Sequence, residues 1–246
     1  MCRHLAYLGP PLPLAALLFD PPHSLLRQSF APKDMRGGGR INADGYGVGW
    51  YPPPVPPQRY RRGGPMWTDT NLPQLAAATT AGAVLAAVRN ATVGMPVLET
   101  AAAPFGDGPW LFSHNGLVAG WPDSVTGLAG TLPTRDLLTL DAPTDAALLW
   151  ALVRQALRAG AGLAESIVDT VRAVRDAAPG SRLNLLLTDG GTVAATTWTH
   201  ALSVRQTADA TLISSEPLDD DPAWRAVPDQ HLVVATAGTV EITPLT

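Results

Sequence analysis

Cys2 is the one cysteine in a chain of 246 residues, and it directly follows the initiator methionine. A small residue at that place favours removal of Met1, which would make Cys2 the mature N-terminus. Thiol and free α-amine then belong to one residue. That pair is a nucleophile with its own general base, because an α-amine titrates near pH ~8 and can accept a proton in a folded site. The thiolate is the reactive form, so an adjacent acceptor is what the chemistry requires. Acyl transfer also needs donors for an oxyanion and a grip on the substrate. Phe112-Ser113-His114-Asn115-Gly116 offers the donors, an Asn115 amide beside the Gly116 N–H. Taken alone, the same Asn-Gly pair reads first as a type I′ hairpin turn. His114 is not needed by this mechanism. Arg89 ends an apolar run, where a guanidinium either caps a strand at the surface or holds a carboxylate by two parallel hydrogen bonds. Asp145 starts a helix, where a carboxylate suits the helix dipole or receives an ammonium. Together Arg89 and Asp145 would grip both charges of a free α-amino acid head group.

These residues need strands and helices to bring them together, and glycine and proline cut the chain into many short pieces. Arg3–Leu8, Gly45–Tyr51 and Gln58–Arg62 read as strands, the last two joined through the rigid run PPPVPP as a hairpin and not a domain boundary. The glycines of GYGVGWY permit close backbone approach. Asn71 can cap a short helix through Ala78. Ala83–Arg89, Pro109–His114 and Leu117–Gly120 look like buried strands, the last two joined by a turn at Asn115-Gly116. Two amphipathic helices follow. Thr144–Ala159 has Thr144 as cap and Leu148, Leu149, Leu152 and Val153 on one face, and Gly162–Ala178 carries the stripe Leu163, Ile167, Val171 and Val174. After Gly180 the chain returns to strands: Leu183–Thr188, Thr192–Trp198, Thr211–Ser215, His231–Thr236 and Val240–Thr243. Strands, two helices, then strands again predict one α+β domain over residues 1–246, with antiparallel sheets and helices packed outside.

Composition removes other classes of function. Hydrophobic residues make up 46% of the chain, enough for a large core, yet no run approaches the roughly 20 apolar residues of a membrane span. The proline-broken N-terminus does not resemble a signal peptide, and one cysteine makes no internal disulfide, so a cytoplasmic protein is expected. A net charge of −4 with 17 basic residues gives no electrostatic footprint for nucleic acid. The cluster Arg59, Arg61 and Arg62 reads as a solvated strand edge. No metal or cofactor is expected.

Six segments carry a family resemblance in order: Cys2-Arg3-His4, Asn42 to Trp50 (NADGYGVGW), Arg89-Asn90-Ala91-Thr92, His114-Asn115-Gly116, Thr144-Asp145 and Ser214-Ser215-Glu216-Pro217-Leu218. The chain thereby resembles the class II glutamine amidotransferases, which are N-terminal nucleophile (Ntn) hydrolases, from residue 2 to about 235. The resemblance implies a four-layer αββα sandwich of two antiparallel sheets with helices outside. It also implies Cys2 as nucleophile with its amine as base, and Asn115 with the Gly116 N–H as oxyanion hole. Arg89 would bind the substrate α-carboxylate with Thr92 beside it, and Asp145 the α-ammonium. One departure stands out: many relatives have histidine before the proline where this chain reads Ala102-Ala103-Pro104-Phe105. A glutaminase normally feeds ammonia to a synthetase, and no acceptor domain is expected here. The compact form, MCRHLAYLG near the start and SSEPLDDDPAWRAVP near the end, is similar to the ergothioneine-pathway branch of the family. That similarity implies hydrolysis of γ-glutamyl-hercynylcysteine S-oxide to glutamate and hercynylcysteine S-oxide, with a small molecule as the only partner. Seven tryptophans offer a cation–π wall for the trimethylammonium of that leaving group. The alternatives are a glutaminase subunit serving a partner synthetase, and a non-catalytic subunit that keeps only the fold.

Overall fold

Side chains alternate across a strand, so a strand covered on both faces must be apolar at successive positions. The first strand, β1 (Arg3–Pro13), meets that demand: Leu5 and Tyr7 belong to one buried cluster, Ala6 and Leu8 to another. The computed structural model describes residues 2–36, 38 and 41–245, and Met1, whose removal is expected, lies outside them. Along the chain follow α1 (Ala15–Leu18), α2 (Leu25–Phe30), β2 (Tyr46–Trp50), β3 (Gln58–Arg62), α3 (Leu72–Ala78), β4 (Thr80–Val88), β5 (Phe105–Asp107) and β6 (Trp110–Leu117). Then come α4 (Thr126–Ala129), α5 (Thr134–Leu138), α6 (Asp145–Arg158), α7 (Leu163–Ala177), β7 (Arg182–Thr188) and β8 (Val193–Thr196). The last strands are β9 (Ser203–Gln206), β10 (Thr211–Ser214), β11 (Arg225–Ala226), β12 (His231–Thr236) and β13 (Thr239–Pro244).

Seven strands form one sheet in the order β11-β9-β10-β1-β4-β2-β3, and six form the other in the order β13-β12-β8-β7-β6-β5. Every pairing between them is antiparallel. Ala6, Leu85, Leu111, Leu186 and Val233 fill the space between the sheets. Leu17, Leu25 and Leu72 from α1, α2 and α3 cover the outer face of the first sheet. Trp150, Val153, Ile167 and Val171 of α6 and α7 cover the second, against Phe112, Leu185 and Leu187. The architecture is the α+β, four-layer αββα sandwich that the resemblance implied. Among the described residues no helix is long and apolar enough to cross a membrane.

Two local expectations need correction. Asn115-Gly116 is not a turn, because β6 runs straight through it, pairing Asn115 with Asn184 and Gly116 with Leu183 of β7. Glycine is required there for room: a Cβ on Gly116 would lie 1.8 Å from the Arg182 carbonyl oxygen. The hairpin turn sits earlier, at Gly108, whose φ is 52°. Asn71 occupies the N-cap position of α3 without a capping side-chain bond. Asp69 does that work instead, its Oδ1 accepting from the N–H groups of Asn71 at 2.8 Å and Leu72 at 3.0 Å. Thr144 caps α6 as expected, accepting from the Ala147 N–H at 3.3 Å.

Candidate active site

Cys2 stands immediately before β1, the middle strand of its sheet, and its neighbour fixes it. The Arg3 guanidinium donates to the Cys2 carbonyl at 2.9 Å and to the Asp34 carbonyl, and its Nε meets Glu216 Oε1 at 2.7 Å. Glu216 in turn contacts His23 Nε2 at 2.6 Å and accepts from the Lys33 N–H at 2.8 Å. Burial alone would raise the Glu216 pKa, but the bonds from His23 and Lys33 and the Arg3 charge outweigh it and hold the carboxyl at about 2. Arg3 and Glu216 are both almost fully buried, so this pair is a charged anchor inside the protein. The Cys2 thiol, half-buried, donates to the Asn90 carbonyl at 3.7 Å.

A cleft of about 480 Å³, measured out to the open solvent at its mouth, gathers Cys2, Arg89, Thr92, Gly116 and Asp145. Five of the six residues singled out in the sequence therefore line one space. Both sheets and one helix build it: Cys2 precedes β1, Arg89 follows β4, Gly116 lies in β6 and Asp145 begins α6. Arg89 Nη1 donates to the carbonyls of Pro96 at 2.9 Å and Asp44 at 3.3 Å. Asp44 also closes the loop after β4, its Oδ2 accepting from the Ala91 N–H at 2.9 Å. Asp145 is buried, with Oδ2 accepting from the Val118 N–H at 3.0 Å and Oδ1 from its neighbour Ala146 at 2.7 Å.

Asn115 alone of the six lies behind the lining of the cleft. It is 1% exposed, and its Nδ2 donates to Ser215 Oγ at 3.4 Å. Ser113, Thr144, Met95 and Phe105, to which the sequence alone assigns no role in the site, also line the cleft. Ala103 lines it too, so the position often histidine in relatives presents only a methyl group. No tryptophan is among the described residues lining the cleft, whose aromatic side is Phe105 and His114. Trp198 and Trp224 lie under Arg175 and Arg205, and Trp150 stacks on Phe112 in the core. Among the described residues no group of three or more His, Cys, Asp or Glu side chains is placed to hold a metal ion.

The fold is that of the class II glutamine amidotransferases. The chain matches a glutamine aminotransferase class-II domain protein from Silicibacter pomeroyi with a TM-score of 0.69 at 22% identity, covering 99% of both chains. The glutamine phosphoribosylpyrophosphate amidotransferase of B. subtilis matches with the same TM-score of 0.69 at 12% identity, over 100% of this chain and 49% of that one. At those identities the likeness concerns the fold alone. No protein-family model matches the chain. The gamma-glutamyl-hercynylcysteine sulfoxide hydrolase of Mycolicibacterium smegmatis is 43% identical over 245 residues, covering 100% of both chains. The protein of that name from Mycobacterium tuberculosis is 40% identical, covering 100% of this chain and 97% of its own. The chain belongs to the gamma-glutamyl-hercynylcysteine sulfoxide hydrolase family.

Proposed function

We propose that this protein is an amidohydrolase that cleaves the γ-glutamyl amide of γ-glutamyl-hercynylcysteine S-oxide, acting as one amidotransferase-type domain over residues 1–246. The Cys2 sulfur attacks the γ-carbonyl carbon while the α-amine freed by loss of Met1 takes the thiol proton. The Asn115 amide and the Gly116 N–H stabilise the oxyanion. The C–N bond then breaks, the amine of hercynylcysteine S-oxide leaves with the proton, and a thioester remains on Cys2. Water adds to the thioester and releases glutamate, restoring the thiol. Arg89, with Thr92 beside it, holds the α-carboxylate, and Asp145 holds the α-ammonium. The site would be cytoplasmic and need no partner synthetase.

What carries this reading is the meeting of a near-terminal thiol, a guanidinium and a carboxylate in one cleft, in a chain 43% identical to a named hydrolase of that substrate. The test compares turnover of γ-glutamyl-hercynylcysteine S-oxide with that of free glutamine, beside the intact mass of the purified protein. Strong preference for the bulky amide, loss of Met1 and no turnover in Cys2→Ala are expected. A preference for glutamine favours an ammonia-supplying glutaminase, and a folded Cys2→Ala with wild-type turnover overturns the nucleophile.

A further inference from the structure

Behind the cleft lies an imidazole that the reaction above does not use. His200 is 2% exposed, and among the described residues neither of its ring nitrogens has a hydrogen-bond partner. The chain holds it there against its own preference. Thr199, a β-branched residue, has a φ of 87°, a region that such residues rarely enter. Asn184 clamps both sides of this strained residue. Its Oδ1 accepts from the N–H groups of Trp198 at 2.8 Å and His200 at 3.2 Å, and its Nδ2 donates to the carbonyls of His200 at 2.9 Å and Ala201 at 3.4 Å. Thr199 itself donates to Asp229 Oδ1 at 2.7 Å. Asn184 is also the direct cross-strand partner of Asn115. The residue opposite Asn115 therefore fixes the turn that delivers His200.

His200 and Asn115 line one small cavity, with room for about one water-sized sphere (about 10 Å³), together with Arg3, Asp34, Ala201 and Ser215. Ser215 faces the Asn115 amide. The Ser215 hydroxyl donates to the His4 carbonyl at 3.2 Å and accepts from the His4 N–H at 3.0 Å. With its proton on the His4 carbonyl the hydroxyl is left to accept, and it meets the Asn115 NH2. That contact is long, at 3.4 Å, and Asn115 Oδ1 is buried with no partner among the described residues. A single long bond is a weak hold on an amide whose reversal would aim an oxygen at an oxyanion. Burial first, then the charge of Arg182, keeps the His200 pKa at about 3, so its ring is neutral at pH 7 with one N–H to give.

We propose that His200 is a positioning residue for the oxyanion hole, fixing the Asn115 amide through one water held in this cavity. The water accepts from the His200 N–H and donates to Asn115 Oδ1, which a polar cavity of this kind can support. One N–H of Nδ2 then stays on Ser215 and the other is left for the acyl oxygen. The inference rests on Asn115 being an oxyanion donor.

The test is a double-mutant cycle on the full chain with γ-glutamyl-hercynylcysteine S-oxide as substrate. His200→Leu should lower kcat about tenfold, the weight of one net hydrogen bond, with KM unchanged. His200→Gln, which keeps a donor and an acceptor, should recover most of that loss. In Asn115→Ala the His200→Leu change should cost nothing further, because its route is gone. Wild-type kcat in His200→Leu, no recovery in His200→Gln, or a loss that persists in Asn115→Ala overturns the proposal. Wild-type kcat in Asn115→Ala alone instead overturns the oxyanion role, and the proposal with it. A high-resolution crystal structure of the wild type reads the same point without relying on any variant to fold. A water within hydrogen-bond reach of both His200 and Asn115 Oδ1 is expected there, and its absence overturns the proposal.

Discussion

Arg89 and Asp145 were both legible as charges able to grip an amino acid, and the cleft brings them together, yet each also serves the backbone. Arg89 ties down Pro96 and Asp44, while both oxygens of Asp145 accept backbone N–H groups. Arg89→Lys keeps the charge and loses the planar fork, so kcat/KM should fall even if the loop survives. Asp145→Asn turns one acceptor into a donor facing a backbone N–H, so a lost activity alone would not separate recognition from folding. Substrate chemistry separates them. Acetylating the substrate α-amine should cost the wild type about 2–5 kcal/mol and the Asp145→Asn variant far less, because the two changes remove the same ion pair. Additive losses would make Asp145 a helix-start carboxylate and nothing more. His200 shows the limit of residue-by-residue reading. A lone histidine in Thr197-Trp198-Thr199-His200 has no spacing that marks it, and its meaning comes from Asn184 and Asn115 meeting across strands far apart in sequence.

The amphipathic helices α6 and α7 were legible to within a residue or so, because the 3.6-residue stripe is a direct imprint of packing on a sheet. The centre of β6 was not. Asn-Gly is the common signature of a tight turn, and the same dipeptide here answers a steric demand from β7 that only the tertiary pairing reveals. Gly116→Ala tests this demand. Its Cβ would meet the Arg182 carbonyl oxygen at 1.8 Å and carbon at 2.6 Å, and backbone atoms cannot swing aside as a side chain can. The substitution should destabilise by more than about 2 kcal/mol, read as the midpoint of urea unfolding, and displace the oxyanion donor as well. Gly127→Ala is the control, in the helix α4 with nothing within 4 Å of the new methyl group. It should leave stability unchanged or raise it by up to about 1 kcal/mol. Equal behaviour of the two variants would mean that β6 can part from β7 at no cost.

At the scale of the whole molecule, the order of strands and helices along the chain was enough to reach a layered α+β sandwich, since apolar runs on both sides of the helical pair must be buried in sheets. What composition could not reveal is how polar the seam between the sheets becomes at the end near Cys2, where His4 Nδ1 lies 3.2 Å from Ser113 Oγ across it. Burial, with neighbouring basic side chains second, holds His4 at about 3 and His200 at about 3 as well, against an ordinary 6.5 for both. A histidine kept neutral in the fold gains a proton only on unfolding, so between these values the unfolded state binds more protons and stability falls as pH falls. Above pH 6.5 both rings are neutral in either state and contribute no slope. Each ring contributes up to about 1.4 kcal/mol per pH unit between its two pKa values. Glu216, held at about 2 against an ordinary 4.5, adds to the loss only below 4.5. The interval from pH 6.5 to 4.5 thus isolates the histidines. Urea unfolding across it should show stability declining toward acid, and His200→Leu should flatten that decline by one ring's share. A wild-type protein whose stability does not change between those two pH values would show that the seam accepts charge, and the neutral His200 assigned above would be wrong.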